Sequence, residues 1–338
     1  MVCGAPGCEL RQGTTGPDLG NGPQLAASSG RTFFLARDLD FIFELDANCG
    51  TAKTLYKVKD PTRQLAVNPH DVAVAPDGAL WVPLYDVPRI AILEGGNVSA
   101  TIDLSGTRFD TDGNPQADAI RIVSVGGVAK AFVTLERLDD TDKVNILRSK
   151  QASFMARIDV ATRTVEDTIV LAGRNPFNTM AEYDGALFLA EPRSFDDAAE
   201  LLAGIERFDT STSTTRFLIA EQDLGGSVVE VAVTDGCGVA IVGGPEKNLN
   251  PTSLVSFDPT TGKVVHSAQA AILGPTPGYD LQGLTWRGSS LYVGDRRAGA
   301  GGYPIHVFDR EPGTCILHEV PARAFTIPQP PVALRPAN

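Results

Sequence analysis

The chain has 338 residues, a net charge of −12 and a pI near 4.8. Its 34 Gly and 23 Pro are spread along the chain, which excludes collagen and low-complexity disorder, and 43% hydrophobic content is enough for a sizeable core. A general polyanion binder needs a concentrated Lys/Arg surface, and this composition argues against one, so no nucleic-acid partner is expected. Apolar runs such as Val228–Val233 fall far short of the roughly 20 residues that span a bilayer as a helix, so no transmembrane segment is expected.

Residues 1–22 carry six Gly and no apolar period and read as a flexible leader. From there two anchors recur six times in the same order. One is a Gly turn leading into an aromatic or β-branched run: Gly30, Gly78, Gly127, Gly185, Gly238 and Gly288. The other is an alternating run ending in an acid, at positions 46, 94, 159, 209, 258 and 309. Each unit reads as four short strands punctuated by Gly, Asp, Asn and Pro. Asp at the start of the third-to-fourth turn, as in Asp258-Pro259-Thr260-Thr261-Gly262, accepts a backbone N–H from two residues on and explains its own recurrence. Four strands about every 50 residues predict an all-β fold, a six-bladed β-propeller with four antiparallel strands per blade. The blades are expected near 23–58, 69–104, 116–171, 176–219, 227–273 and 280–320. A closing strand over 324–327 is expected to pair with the first blade, and 328–338 to form a Pro-rich tail.

The stretch Asn68-Pro69-His70-Asp71-Val72-Ala73-Val74-Ala75-Pro76-Asp77-Gly78-Ala79-Leu80-Trp81-Val82 resembles the repeat of the NHL and YVTN propeller group. Leu281 to Trp286 with Leu291-Tyr292-Val293 resembles it too. The resemblance implies the fold and leaves activity open, because such propellers include enzymes, binding proteins and scaffolds.

Five cysteines, Cys3, Cys8, Cys49, Cys237 and Cys315, lack C-x-x-C spacing and nearby His, which argues against zinc. Cys49, Cys237 and Cys315 fall in turns expected on one face of the propeller. At least one disulfide is expected there, Cys49 with Cys315 or Cys237 with Cys315, in an oxidising compartment. No signal peptide is visible. The start reads as truncated, with Cys3 or Cys8 ahead of a Gly/Pro/Thr linker. That pattern fits the remnant of a secreted or lipoprotein precursor and a lipid anchor in the missing leader.

In a propeller the strand starts and the second-to-third loops share the top face, where polar groups converge on ligands. Every blade carries a polar side chain ahead of its Gly anchor: Gln24, His70 with Asp71, Asp118, Asn178, Glu230, and Asp280 with Gln282. Pointed inward they form an acidic ring suited to Ca²⁺. In outline this resembles the six-bladed lactonases and gluconolactonases of the SMP-30 and paraoxonase type, in which Glu, Asn and Asp at strand starts hold calcium. The alternative is that these groups bond neighbouring loops. Asp110-Thr111-Asp112-Gly113-Asn114, with Asp118, presents oxygens at the spacing of calcium loops and resembles thrombospondin-type repeats. The second-strand ends repeat acid–base neighbours: Asp38 with Arg37, Asp86 with Arg89, Glu136 with Arg137, Glu191 with Arg193, Glu246 with Lys247, and Asp295 with Arg296. Such pairs could bind a polar ligand across the top face; inter-blade ion pairs are the first expectation for these. Of the four histidines, His70 beside Asp71 is the one placed at the channel mouth, and these two are the catalytic candidates. His266, His306 and His318 read as residues of outer strands. Two long second-to-third loops, Glu136 to Ser153 and Arg193 to Ala203, the latter with a short helix over Phe195–Leu202, break the rhythm on the same face.

Three functions fit this reading. The first is a secreted, periplasmic or cell-envelope propeller that binds a small molecule, peptide or protein at its top face. The second is a calcium-dependent hydrolase or lactonase. The third is a structural envelope module acting through its loops.

Overall fold

The structure, a computed structural model, describes residues 20, 22–46, 52–59, 63–139, 141, 149, 151–194, 200–246 and 250–335. Cys3, Cys8, Cys49, nearly all of the expected leader and most of the expected helix over 195–202 lie outside the described residues. The chain divides into two compact units. The first holds 1–140, 154–168 and 335–338; the second holds 141–153 and 169–334.

The first unit begins with the antiparallel meander β1 (Gln24–Ser28), β2 (Arg31–Ala36), β3 (Phe41–Leu45) and β4 (Ala52–Lys57). The second meander is β5 (Ala73–Val74), β6 (Leu80–Leu84), β7 (Arg89–Glu94) and β8 (Asn97–Asp103). A single parallel pair, Lys57 with Asn97, joins the two at their fourth strands. The third meander is β9 (Ala117–Val125), β10 (Val128–Leu135), β11 (Phe154–Asp159) and β12 (Thr164–Val170), whose last two residues fall in the second unit.

The second unit repeats the plan. Its sheets are β13 (Phe177–Tyr183) to β16 (Thr214–Ala220) through β14 (Ala186–Glu191) and β15 (Gly204–Asp209), then β17 (Ser227–Thr234) to β20 (Val264–His266) through β18 (Cys237–Glu246) and β19 (Asn250–Phe257). The last is β21 (Leu281–Arg287), β22 (Ser290–Asp295), β23 (Tyr303–Arg310) and β24 (Leu317–Glu319), with β25 (Phe325–Ile327) beside β23. This corrects the expected closing pairing with the first blade. β24 covers only Phe308–Arg310 of β23, and β25 pairs with the uncovered Tyr303–Ile305. His306 is likewise in a third strand, β23, rather than an outer one.

The cores follow from period-two alternation. In β6, Leu80, Val82 and Leu84 pack with Phe33, Leu35 and Ile42 of the first sheet, while Trp81 turns to Ile120, Val133 and Ile158 of the third. A sheet covered on both faces needs apolar residues at successive positions, and every residue of β6 is buried. β18 does the same in the second unit: Ala240 and Val242 join Phe188 and Ile205, and Val239 and Ile241 join Leu284, Leu291 and Val293. Cys237 and Cys315 lie in that second core as a disulfide, which settles the expected alternatives among the described cysteines.

The turn chemistry also holds. Asp258 accepts the N–H groups of Thr260 and Thr261 at 2.8 and 2.9 Å, Asp209 those of Ser211 and Thr212, both at 3.0 Å, and Asp159 that of Thr162 at 2.8 Å.

Candidate functional site

The polar residues expected at the first-strand starts sit at or beside ladder irregularities. In β9 the register slips between Ala117 and Ile120, at Asp118. It slips between Phe177 and Ala181, where Asn178 has φ 68°. It slips again between Val228 and Glu230, and between Leu281 and Leu284, spanning Gln282 and Gly283. A bulge leaves a backbone N–H without a ladder partner and re-aims its side chain. Carboxylates of the preceding sheet supply the acceptors. Asp71 Oδ2 takes Ile120 N–H at 3.1 Å and Arg121 Nη1 at 2.7 Å; Glu230 Oε2 takes Gly283 N–H at 2.9 Å. Asp280 accepts Gly278 N–H at 2.9 Å. Gln24 lies at the start of β1, half-buried, as are Asn178 and Gln282. Much of the acidic repeat is therefore bound to backbone and to Arg121.

One group of these residues forms a more concentrated centre in the first unit. His70 Nδ1 lies 2.6 Å from Asp118 Oδ1, and both side chains are buried. Arg37, just after β2, bonds Asn68 Oδ1 at 2.8 Å through Nε and meets His70 Nε2 through Nη2. The Tyr85 ring, just after β6, stacks on His70 with centroids 4.1 Å apart and planes 11° apart. Its hydroxyl donates to Glu136 Oε2, after β10, at 2.5 Å. Second-strand ends of three sheets thus meet first-strand starts of two. Arg37 and Tyr85 are half-buried, whereas His70, Asp118 and Glu136 are buried.

Burial, and then Arg37, hold the His70 imidazole well below its usual pKa. At neutral pH it is the uncharged ring, with the proton on Nδ1 facing Asp118 and the Nε2 lone pair facing Arg37. Burial, and then Asp118, push the Glu136 carboxyl well above its usual range. Burial, and then Glu136, raise the Tyr85 phenol. A neutral base held by an acid, beside a carboxyl that resists ionisation, is an arrangement able to move protons.

The sequence pointed to His70, Asp71 and Asp118, but placed Asp71 with His70 as a catalytic pair. Asp71 instead faces Ile120 and Arg121, and Asp118 is the partner of His70. Tyr85 was missed; its signal was its position at the end of a fully buried second strand. At the second-strand ends, where inter-blade ion pairs were expected, the described side chains have these partners. Arg37 turns to Asn68 and His70, Arg137 Nε lies 3.6 Å from Asp110 Oδ2, Arg193 Nε lies 3.8 Å from Glu200 Oε1, and Asp295 binds Arg297 at 2.6 Å. Residues adjacent along an extended chain point to opposite sides, so their partners come from elsewhere. The side chains of Glu246 and Lys247 lie outside the described residues.

In the Asp110 loop one oxygen of each aspartate is taken by backbone. Asp110 Oδ1 accepts Asp112 N–H and Asp112 Oδ1 accepts Asn114 N–H, each at 3.1 Å, while Asn114 Nδ2 donates to Tyr85 O at 3.2 Å. Asp118 is turned to His70 instead. Among the described residues no three His, Cys, Asp or Glu side chains gather as a metal group.

No family model matches this sequence, and no curated protein matches it. Solved structures do. A streptogramin B lyase structure aligns over 94% of this chain and 88% of its own, with TM-score 0.59 and 14% identity. A catalytically inactive His-to-Ala variant of virginiamycin B lyase from Staphylococcus aureus, with quinupristin, aligns over 93% and 89%, with TM-score 0.55 and 13% identity. The Dos1 propeller aligns over 84% and 66%, with TM-score 0.52 and 13% identity. At these identities the likeness gives the fold: the chain is a β-propeller built of four-stranded antiparallel sheets.

Proposed function

We propose that this β-propeller, with six blades, binds a small polar molecule through Arg37, His70, Tyr85, Asp118 and Glu136. The observation that carries the reading is the convergence of these five groups from three meanders, two of them half-buried and three buried. Arg37 and Tyr85 are the groups a ligand meets first. A ligand oxygen that accepts from the Arg37 guanidinium would release His70 Nε2 from it. Concave sites with a few convergent polar groups are where small ligands bind. The Cys237–Cys315 disulfide supports an oxidising compartment, hence a periplasmic, envelope or extracellular location.

A second reading adds chemistry. The neutral imidazole oriented by Asp118 supports His70 as a general base, and the raised acidity constant of Glu136, bonded to the Tyr85 hydroxyl, supports it as the acid of the group. The test is isothermal titration of quinupristin and of a sugar lactone, with product analysis, on wild type, Tyr85→Phe and His70→Gln. The binding reading expects heat that weakens at least tenfold in both variants, without turnover. The acid–base reading expects turnover whose kcat falls at least 100-fold in His70→Gln. Equal binding by all three chains would remove the site.

A further inference from the structure

The Pro-rich segment after β25 was expected to be a tail, and its placement in the second unit is different. Pro331 is buried. A Cβ built on Gly294, in β22, would stand 2.8 Å from Pro331 Cβ and 2.9 Å from its Cγ, besides 2.2 Å from Gln282 O. A Cβ on Gly283, at the bulge of β21, would stand 2.7 Å from Leu334 N and 2.8 Å from Leu334 Cγ. The segment therefore lies directly on bare backbone at two glycines of neighbouring strands. Gly283 is fixed there from the other side, since Glu230 holds its N–H at 2.9 Å.

The segment has the chemistry of an extended ligand. Pro328, Pro330 and Pro331 lack an N–H and cannot extend a ladder, and 331–335 has neither strand nor helix. Pro331 and Leu334 are three residues apart, so in a polyproline II conformation both would face one side about 9 Å apart along its axis. Val332, between them, is 45% exposed. Pro328 and Gln329 are exposed and link the segment to β25. Its prolines restrict the free segment, so docking it costs less conformational entropy than docking a proline-free one.

We infer that the backbone strip at Gly283 and Gly294 is a recognition site for an extended proline-containing peptide, filled in cis by the chain's own Pro331 and Leu334. The cis copy competes at the effective concentration of a short tether, on the order of millimolar. A peptide in trans gains access when the cis copy is weakened. The inference is independent of the site around His70, because none of that site's residues takes part.

The probe is a fluorescent peptide of residues 327–335, titrated by anisotropy into the full-length chain. The wild type is expected to bind it at least tenfold more weakly than the full-length double variant Pro331→Gly, Leu334→Gly. A peptide carrying the same two substitutions is expected not to bind the variant. A variant that melts like wild type and binds neither peptide overturns the inference, as does a variant that no longer folds, since the segment would then be part of the core. Amide exchange of the wild type gives a second measurement. Ala333 and Leu334 exchanging at least tenfold faster than Val293 and Gly294 supports a detachable segment. Exchange in step with β22 overturns it.

Discussion

At the scale of single residues, the two histidines with shifted acidities behave in opposite senses. His306 on β23 lies 3.2 Å from Asp295 Oδ2 through Nε2 and 2.8 Å from Glu319 Oε1 through Nδ1. The bond to Asp295 leads in raising its pKa, against burial. Burial alone would raise the Asp295 carboxyl, but the hydrogen bonds from His306 and Arg297 outweigh it and hold that group well below the carboxylate range. A raised histidine contributes stability that is fully present below its unfolded pKa of about 6.5 and is lost as pH rises through the folded value. Stability measured by urea unfolding is expected to fall above about pH 6.5 in wild type, and His306→Gln to flatten that slope. An unchanged slope in the variant would show that His306 is not the group responsible. His70 has the opposite sign: its lowered pKa gives stability present above about 6.5 and lost as pH falls toward the folded value.

At the scale of elements, the repeated bulge explains why acids recur at strand starts. Glu230→Ala removes the acceptor of Gly283 N–H and is expected to destabilise by about 1–3 kcal/mol, the range for a buried donor left unmade. Glu230→Gln, which keeps an acceptor oxygen, is expected to recover most of that in the same urea titration. Wild-type stability in Glu230→Ala would contradict the role. The alternation of β6 gives a second test. Trp81→Ala empties one face of a sheet covered on both and is expected to cost about 3–5 kcal/mol; a loss under about 1 kcal/mol would contradict the packing. The strands, their order and the Asx turns at Asp159, Asp209 and Asp258 were legible in the sequence because each rests on local chemistry: alternation, Gly, and a side-chain oxygen near its own backbone. The partner of Asp118 was not, because a bulge turns a side chain by an amount that period-two counting misses; those of Arg37, Asp71 and Asp295 were not, because these residues lie at or beyond strand ends, where alternation no longer aims the side chain. The pairing of β25 was hidden for another reason. It depends on how little of β23 the short β24 covers, and strand lengths at sheet edges are not written in the hydrophobic pattern.

At the scale of the whole molecule, the disulfide closes a sequence separation of 78 residues inside the second unit. Chain entropy assigns such a loop about 4 kcal/mol. Reduction, or Cys237→Ser with Cys315→Ser, is expected to lower unfolding stability by roughly that amount, and five thiols alkylated without reduction would contradict the bond. The acidic charge of −12 also takes a more definite meaning. Its recurring members hold turns, bulge amides and arginines, and a smaller set, Asp118 and Glu136, surrounds one neutral imidazole. That imidazole is the centre of the functional account, and it can be observed directly. Long-range ¹H–¹⁵N spectra of the histidine side chains across pH 4.5–8 report the tautomer and titration of each ring. His70 is expected to show a neutral ring protonated on Nδ1, with no midpoint near 6.5. A His70 that titrates near 6.5, or carries its proton on Nε2 at neutral pH, would contradict it.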